Sequence, residues 1–252
     1  PGRLPVSIIA VIDTSGSMNS EASLNDSSEF ENDSISRIQL VQYSLKTIIS
    51  TLGPTDQITL IEFNNKATVK VAGLKLTTEG KETANKIIDH IKIAGATNLW
   101  DGINKGIKEA VKQQSKSMNT SIMVFTDGQP NIHPPLGLLS SLDCELEDIN
   151  VFFSISTFGY GDSIDANLLE KISEKGNGIY GYCPDASMVG TIFINYISNL
   201  ISEISPLNTL KVNQKEFNLI LYNGSESHVM IPLDKKIKPE EYQINLSSKL
   251  TN

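Results

Sequence analysis

Cysteine is almost missing from this chain: Cys144 and Cys183 are the two in 252 residues. Two thiols cannot staple a small disulfide scaffold, and neither has the close Cys/His spacing of a zinc site, so both read as buried free thiols. Histidine is nearly as scarce, with His90, His133 and His228 scattered along the chain. Of these only His133, a little beyond Asp127, falls near a candidate site, and its plainest reading is a surface-loop residue. No run reaches the roughly 18 apolar residues that suggest a membrane span. A Gly-rich phosphate loop with its lysine is absent, and so is a Gly-x-Ser-x-Gly nucleophile turn. Positive charge is in deficit, with 21 Lys+Arg against 29 Asp+Glu and a formal net charge of -8. That balance disfavours nonspecific attraction to nucleic acid or anionic lipid and sits easily with cation binding. The chain opens at Pro1 with neither an initiating methionine nor a basic-then-apolar leader, and reads as a processed or excised piece.

What is present is an ordinary soluble composition, 39% hydrophobic and 20% charged. The length exceeds one compact α/β domain and falls short of two, which divides the chain into a domain over residues 1–205 and a β-hairpin-rich segment over 206–252. From residue 6 to about 204, apolar runs alternate with helical periodicity, the pattern of an α/β fold with a doubly wound, mostly parallel six-stranded sheet flanked by helices. Val6 to Ile12 and Ile122 to Phe125 are nearly uninterrupted apolar runs, as expected of strands buried on both faces. Ile58 to Phe63 and Val151 to Phe158 read as further strands, with Ala67 to Val71 as an antiparallel edge reached through the turn at Asn64 and Asn65. Helical stripes run over Ile35 to Leu52, Leu99 to Val111, Asp165 to Ser173 and Ser187 to Ile204. Residues 19–34, rich in Ser, Asn and acidic side chains, read as a long mobile loop. Past Pro206, Phe217 to Tyr222 and His228 to Leu233 read as a hairpin across Asn223 and Gly224, docked on the main domain or belonging to a β-sandwich that is cut short.

Three short segments carry the chemistry. The first strand ends in Asp13, Ser15 and Ser17 on a tight turn, a carboxylate followed by two hydroxyls at alternate positions. Alone, that is an Asp/Ser turn satisfying its own amides. Thr97 immediately precedes a helix and alone reads as an N-cap. Asp127 ends the second apolar strand at another turn. In a sheet ordered 3-2-1-4-5-6 the first and fourth strands are neighbours, and their carboxyl ends open into the switch-point crevice, where Asp13 and Asp127 would meet.

Together these residues resemble the metal-ion-dependent adhesion site of von Willebrand factor A domains, built from D-x-S-x-S, a distant threonine and a later aspartate. The likeness extends over about residues 6 to 204, through Ile58 to Asn64, Thr97 to Gly102 and Phe125 to Gly128. It implies one divalent cation, Mg²⁺ or else Mn²⁺ or Ca²⁺, with Ser15, Ser17 and Thr97 as direct ligands and Asp13 and Asp127 acting partly through water. Hard oxygens suit Mg²⁺, and two carboxylates roughly neutralise it, so the ion should still attract one more anionic oxygen. The natural donor is a Glu or Asp of a partner protein. The expected role is therefore cation-dependent protein binding by a monomer, without catalysis, because no general base stands near the crevice. The run from Ser156 to Asp162, then Asp165 to Glu170, Gly178 to Tyr180 and the closing helix resemble intracellular proteins that join this domain to a RING or U-box ubiquitin-ligase module. That likeness implies a cytoplasmic scaffold or substrate recruiter. The secreted inter-α-trypsin inhibitor heavy-chain type is the alternative, and binding through the acidic 19–34 loop without a metal is a third reading.

Overall fold

Val6–Asp13 forms strand β1, and all eight of its residues are buried. Such a strand must be covered on both faces, and the computed structural model, which describes residues 3–22, 35–113, 118–162, 164–212, 215–222 and 244–248, shows how. After β1 come a 3-10 turn at Gly16–Asn19, α1 (Arg37–Thr51), β2 (Gln57–Phe63), β3 (Ala67–Lys75) and α2 (Thr78–Asp89). Next are α3 (Leu99–Lys112), β4 (Asn119–Thr126), α4 (Leu138–Glu147), β5 (Ser154–Tyr160), α5 (Ala166–Lys175), β6 (Asn177–Cys183) and α6 (Ala186–Ser202). The main sheet has six strands in the order β3-β2-β1-β4-β5-β6, parallel throughout except for the β2/β3 pair at one edge.

The pleat of β1 sends alternate side chains into two separate cores. Ile8, Ala10 and Ile12 join Val41, Leu45 and Ile48 of α1, Ile88 of α2, and Phe193 and Ile197 of α6. Ile9 and Val11 join Leu99, Ile103 and Ile107 of α3, Leu142 of α4, and Leu169 and Ile172 of α5. Helices therefore cover both faces. On the α6 face Phe125 and Phe158 stack with centroids 5.5 Å apart, and Phe193 tilts against Phe158 at 4.8 Å. The Tyr196 hydroxyl meets the Ser121 hydroxyl at 2.6 Å and the Ser156 hydroxyl at 2.9 Å, setting α6 in register with β4 and β5. On the opposite face α3 lies close to the sheet. A Cβ at Gly102 would come within 2.7 Å of the Phe63 ring, so only glycine permits that approach.

Several boundaries differ from the sequence reading. β5 begins at Ser154 instead of Val151, β3 runs on to Lys75, and α6 ends at Ser202 because Glu203 already opens a strand. Helices α2 and α4 carry weak signals: three residues of α2 are buried (Gly80, Ala84, Ile88) and two of α4 (Leu138, Leu142), stripes too narrow to stand out in the sequence. Cys144 lies exposed on α4, contrary to the expectation of two buried thiols, whereas Cys183 is buried and its thiol is pushed up to about 12, chiefly by desolvation. The second sheet is built as β8-β7-β9 from β7 (Glu203–Val212), β8 (Lys215–Tyr222) and β9 (Ile244–Ser248). β8 thus pairs back onto β7; the expected strand at 228–233 and its turn at 223–224 lie outside the described residues. Proline normally marks a strand break, and Pro206 is accommodated inside β7 where the register with β8 shifts between Ser205 and Asn208. Of the acidic 19–34 stretch, residues 23–34 lie outside the described residues, and its ends are joined by Ala22 N to Ile35 O at 2.9 Å and by a bridge between Glu21 and Ser36.

At the opposite end of the sheet from the crevice, Arg3 donates to both oxygens of Asp56, which also accepts the amides of Val6 (2.9 Å) and Gly53 (2.7 Å). Burial alone would raise the Asp56 carboxyl; the Arg3 hydrogen bond and the two amides outweigh it and hold the group below its ordinary 3.8. A depressed carboxyl contributes stability that is complete above its unfolded value and is lost as pH falls through the folded one. Arg3→Ala should therefore cost roughly 2 to 3 kcal/mol in urea denaturation at pH 7. The gap from the parent should close as the pH is lowered below the carboxylate range; a gap independent of pH would show that the pair contributes through packing instead.

Candidate metal centre

β1 ends at Asp13 beside Phe63 of β2 and one residue beyond the pairing of Ile12 with Phe125 of β4. The chain then turns sharply, with the Thr14 amide and hydroxyl both donating to Phe63 O at 2.8 and 3.0 Å. Asp13 accepts the Ser15 amide on Oδ1 at 2.9 Å and the Thr126 hydroxyl on Oδ2 at 2.6 Å. The Asp/Ser turn is thus partly self-satisfied, as its plain reading expects. The hydroxyls of Ser15 and Ser17 share a hydrogen bond at 3.1 Å, and Ser15 makes no capping bond to the 3-10 turn that follows. Asp13 and Ser15 are shielded from solvent and Ser17 is exposed, so the pair runs from a buried floor to the surface.

The loop between α2 and α3 lies across this turn. Ala94 N donates to Thr14 O at 2.9 Å and Gly16 N to Gly95 O at 3.1 Å. Gly95 has a φ of 86°, and a side chain there would also run into Asn65, whose Oδ1 accepts the Ala96 amide. Thr97 is not the helix cap: Asn98 caps α3 by accepting the Asp101 amide at 3.2 Å, which leaves the Thr97 hydroxyl free of that duty. The loop after β4 clasps Thr97 from its other side. Asn131 Oδ1 accepts the Thr97 amide at 2.8 Å, and the amides of Asn131 and Ile132 donate to Thr97 O at 3.1 and 3.3 Å. Three loops are thereby closed into a ring: 13–17 to 94–97, 97 to 131–132, and Thr126 back to Asp13. The ring carries Asp13, Ser15, Ser17, Thr97 and Asp127 at the carboxyl rim of the sheet.

A family model for the von Willebrand factor type A domain matches residues 7–193. The chain belongs to that family. Such a VWA domain is a protein-interaction module, and relatives fall in dissimilar proteins. The chain is 24% identical over 203 residues to an Arabidopsis thaliana E3 ubiquitin-protein ligase WAV3, covering 80% of this chain and 23% of that protein. It is 25% identical over 182 residues to inter-alpha-trypsin inhibitor heavy chain H1 of Bos taurus, covering 70% and 18%. The chain spans well under half the length of the curated relatives it matches. Among solved structures, a von Willebrand factor type A protein from Catenulispora acidiphila superposes with a TM-score of 0.66 at 17% identity, covering 83% of this chain and 46% of that one. Proximal thread matrix protein 1 from the mussel byssus, solved with a zinc-occupied MIDAS motif, gives 0.53 at 19% identity, covering 77% and 45%. Both show the fold.

The donor set of this VWA domain fits a small hard cation. Neighbouring oxygens around an octahedral ion at about 2.0 to 2.1 Å lie about 3 Å apart, and the Ser15 and Ser17 hydroxyls are 3.1 Å apart. Desolvation pushes the Asp13 carboxyl up to about 6 against the hydrogen bonds from Ser15 and Thr126, and Asp127 adds a smaller push in the same direction. A cation alongside would favour the ionised form. Among the described residues no cluster of three or more His, Cys, Asp or Glu side chains could hold a metal; the donor set at the rim is instead a mixture of hydroxyls and carboxylates. Among the described residues, too, no helix is long and apolar enough to cross a membrane. His133 is exposed, in keeping with a surface-loop residue.

Three residues of the rim escaped the sequence reading. Thr126 was visible beside Asp127 as a hydroxyl ending a buried strand. Asn131 had only its place in a loop after that strand. Arg37, whose Nη1 donates to Asp127 Oδ2 at 3.1 Å, was hidden in the first turn of α1. Asn131→Ala removes one neutral hydrogen bond of about 1 kcal/mol from Thr97. Amide exchange at Thr97 should then quicken about fivefold while the melting temperature moves little; unchanged exchange would show that the two backbone bonds alone hold Thr97.

Proposed function

We propose that this VWA domain holds one divalent cation, Mg²⁺ with Mn²⁺ or Ca²⁺ as substitutes, and uses it to bind a Glu or Asp side chain of a partner protein. The observation that carries this reading is the hydrogen-bonded ring that gathers three hydroxyls and two carboxylates on one rim. The zinc-occupied motif of the mussel protein, which shares the fold, supports it. Ser15, Ser17 and Thr97 are the direct ligands, being neutral oxygens without capping roles. Asp13 already accepts two protein donors and acts as the anionic floor, as Asp127 does from β4, partly through water. The ion supplies the positive charge to which a partner's carboxylate binds. Catalysis is not part of this reading: among the described residues no histidine is placed against the rim carboxylates, and His133 is exposed.

In the longer protein that such a domain serves, the role is that of a monomeric scaffold or substrate recruiter inside the cell, a reading supported by the match to WAV3 over 80% of the chain. The match to heavy chain H1 over 70% favours a second setting, adhesion outside the cell. The rim chemistry serves either one.

Asp13→Asn keeps the shape and an acceptor for Thr126 but removes one charge from the ion. It should weaken Mg²⁺ binding in calorimetry by more than about a hundredfold with the far-ultraviolet dichroism preserved. Unchanged affinity would refute the site. Capture of partners from native lysate should be lost with EDTA and regained with Mg²⁺, and capture indifferent to EDTA would move binding to another surface.

A further inference from the structure

The chain contains 19 lysines but only two arginines, and both arginines reach aspartates that are shielded from solvent. The two pairs are built differently. Arg3 grips both oxygens of Asp56, which two backbone amides also hold, so that pair is locked. Arg37 touches Asp127 through one contact, Nη1 to Oδ2 at 3.1 Å. Its Nε is buried without a hydrogen-bond partner, so the guanidinium is held by an incomplete set of bonds.

The placement of Arg37 is nevertheless built. Ser36 and Gln39 form a capping box at the start of α1, and the Arg37 amide donates to Ser20 O at 3.0 Å, fastening the helix start to the turn that carries Ser17. The guanidinium lies against Gly161, whose φ is 87° and where a Cβ would collide with it. The Arg37 side chain is 15% exposed and that of Asp127 2%, so their attraction is little screened.

We propose that Arg37 is the resident cation of the rim: it neutralises Asp127 before any divalent ion binds, and the ion binds in competition with it. The inference rests on the cation site proposed above. Asp13, Asp127 and Arg37 sum to one net negative charge. A divalent ion brings the rim to one net positive charge, where the two carboxylates alone would leave it neutral. Arg37 therefore lowers affinity for the bare ion and raises the pull on an incoming carboxylate, so ion and acidic ligand bind best together. A pocket with this charge balance selects anionic partners over neutral hydrogen-bonding ones.

The probe is Mn²⁺ alone, titrated by calorimetry into the wild-type chain, Arg37→Gln and Arg37→Lys. Arg37→Gln should bind the ion about tenfold or more tightly, with Arg37→Lys between it and the wild type. If Arg37 only braced the loops, Arg37→Gln would bind more weakly, so affinity that is unchanged or reduced overturns the proposal. Should Arg37→Gln fail to fold, the wild type decides: saturating Mg²⁺ should shift the Arg37 Nε–H resonance, and an unmoved resonance overturns the competition. A variant that gains Mn²⁺ binding where the wild type shows none supports it. If neither binds, the cation site falls with the proposal; if both bind equally, only the role of Arg37 falls.

Discussion

Two carboxylates leave neighbouring strands at one rim of the sheet, and each is almost wholly shielded from water. Like charges brought together out of solvent are costly, and the surrounding structure can be understood as the compensation. Asp13 is answered from within, by the Ser15 amide and the Thr126 hydroxyl. Asp127 is answered from across the crevice by Arg37 and, more weakly, by the Gln129 amide at 3.4 Å. The hydroxyls of Ser15 and Ser17, hydrogen-bonded to each other, complete a rim rich in oxygen.

The strand order is what allows this. With β1 and β4 adjacent and parallel, their carboxyl ends lie side by side although their last residues are more than a hundred positions apart. Burial on both faces enforces that adjacency: the two cores share β1 through its pleat, and a slip by one residue would exchange Ile8, Ala10 and Ile12 with Ile9 and Val11. The packing that stabilises the fold is thus also the alignment that positions Asp13 against Thr126.

This division explains what the sequence made legible. Asp13, Ser15, Ser17 and Asp127 each follow an apolar run long enough to announce a buried strand, and the switch-point rule then brings the two ends together without coordinates. Thr97 was visible through its place before α3, but its freedom from capping was not, because only geometry shows that Asn98 takes that duty. Helices α2 and α4 were missed because small or few residues face the core, leaving little periodic signal. Arg37 and Asn131 were hidden for another reason. Their partners lie 90 and 34 positions away, and nothing in their local patterns reports a contact made across the crevice.

The three hydrogen-bonded loops also bear on how the rim can respond to a ligand. A shift of the 13–17 turn would pull on the 94–97 loop through Ala94 and Gly16, and through Thr97 on the loop after β4. The same turn is tied to α1 by the bond from Arg37 N to Ser20 O. Inside the first core α1 packs against α6, where the Tyr160 hydroxyl of β5 reaches Ser44 at 2.9 Å. Charge at the rim and packing of the helical layer are therefore joined at the first residue of α1. Whatever moves the Arg37 side chain works against a backbone tied to Ser20, so a change of charge beside Asp127 is absorbed more easily by a side-chain rotation than by displacement of the helix. This favours a rim that switches its charge while its frame stays in place.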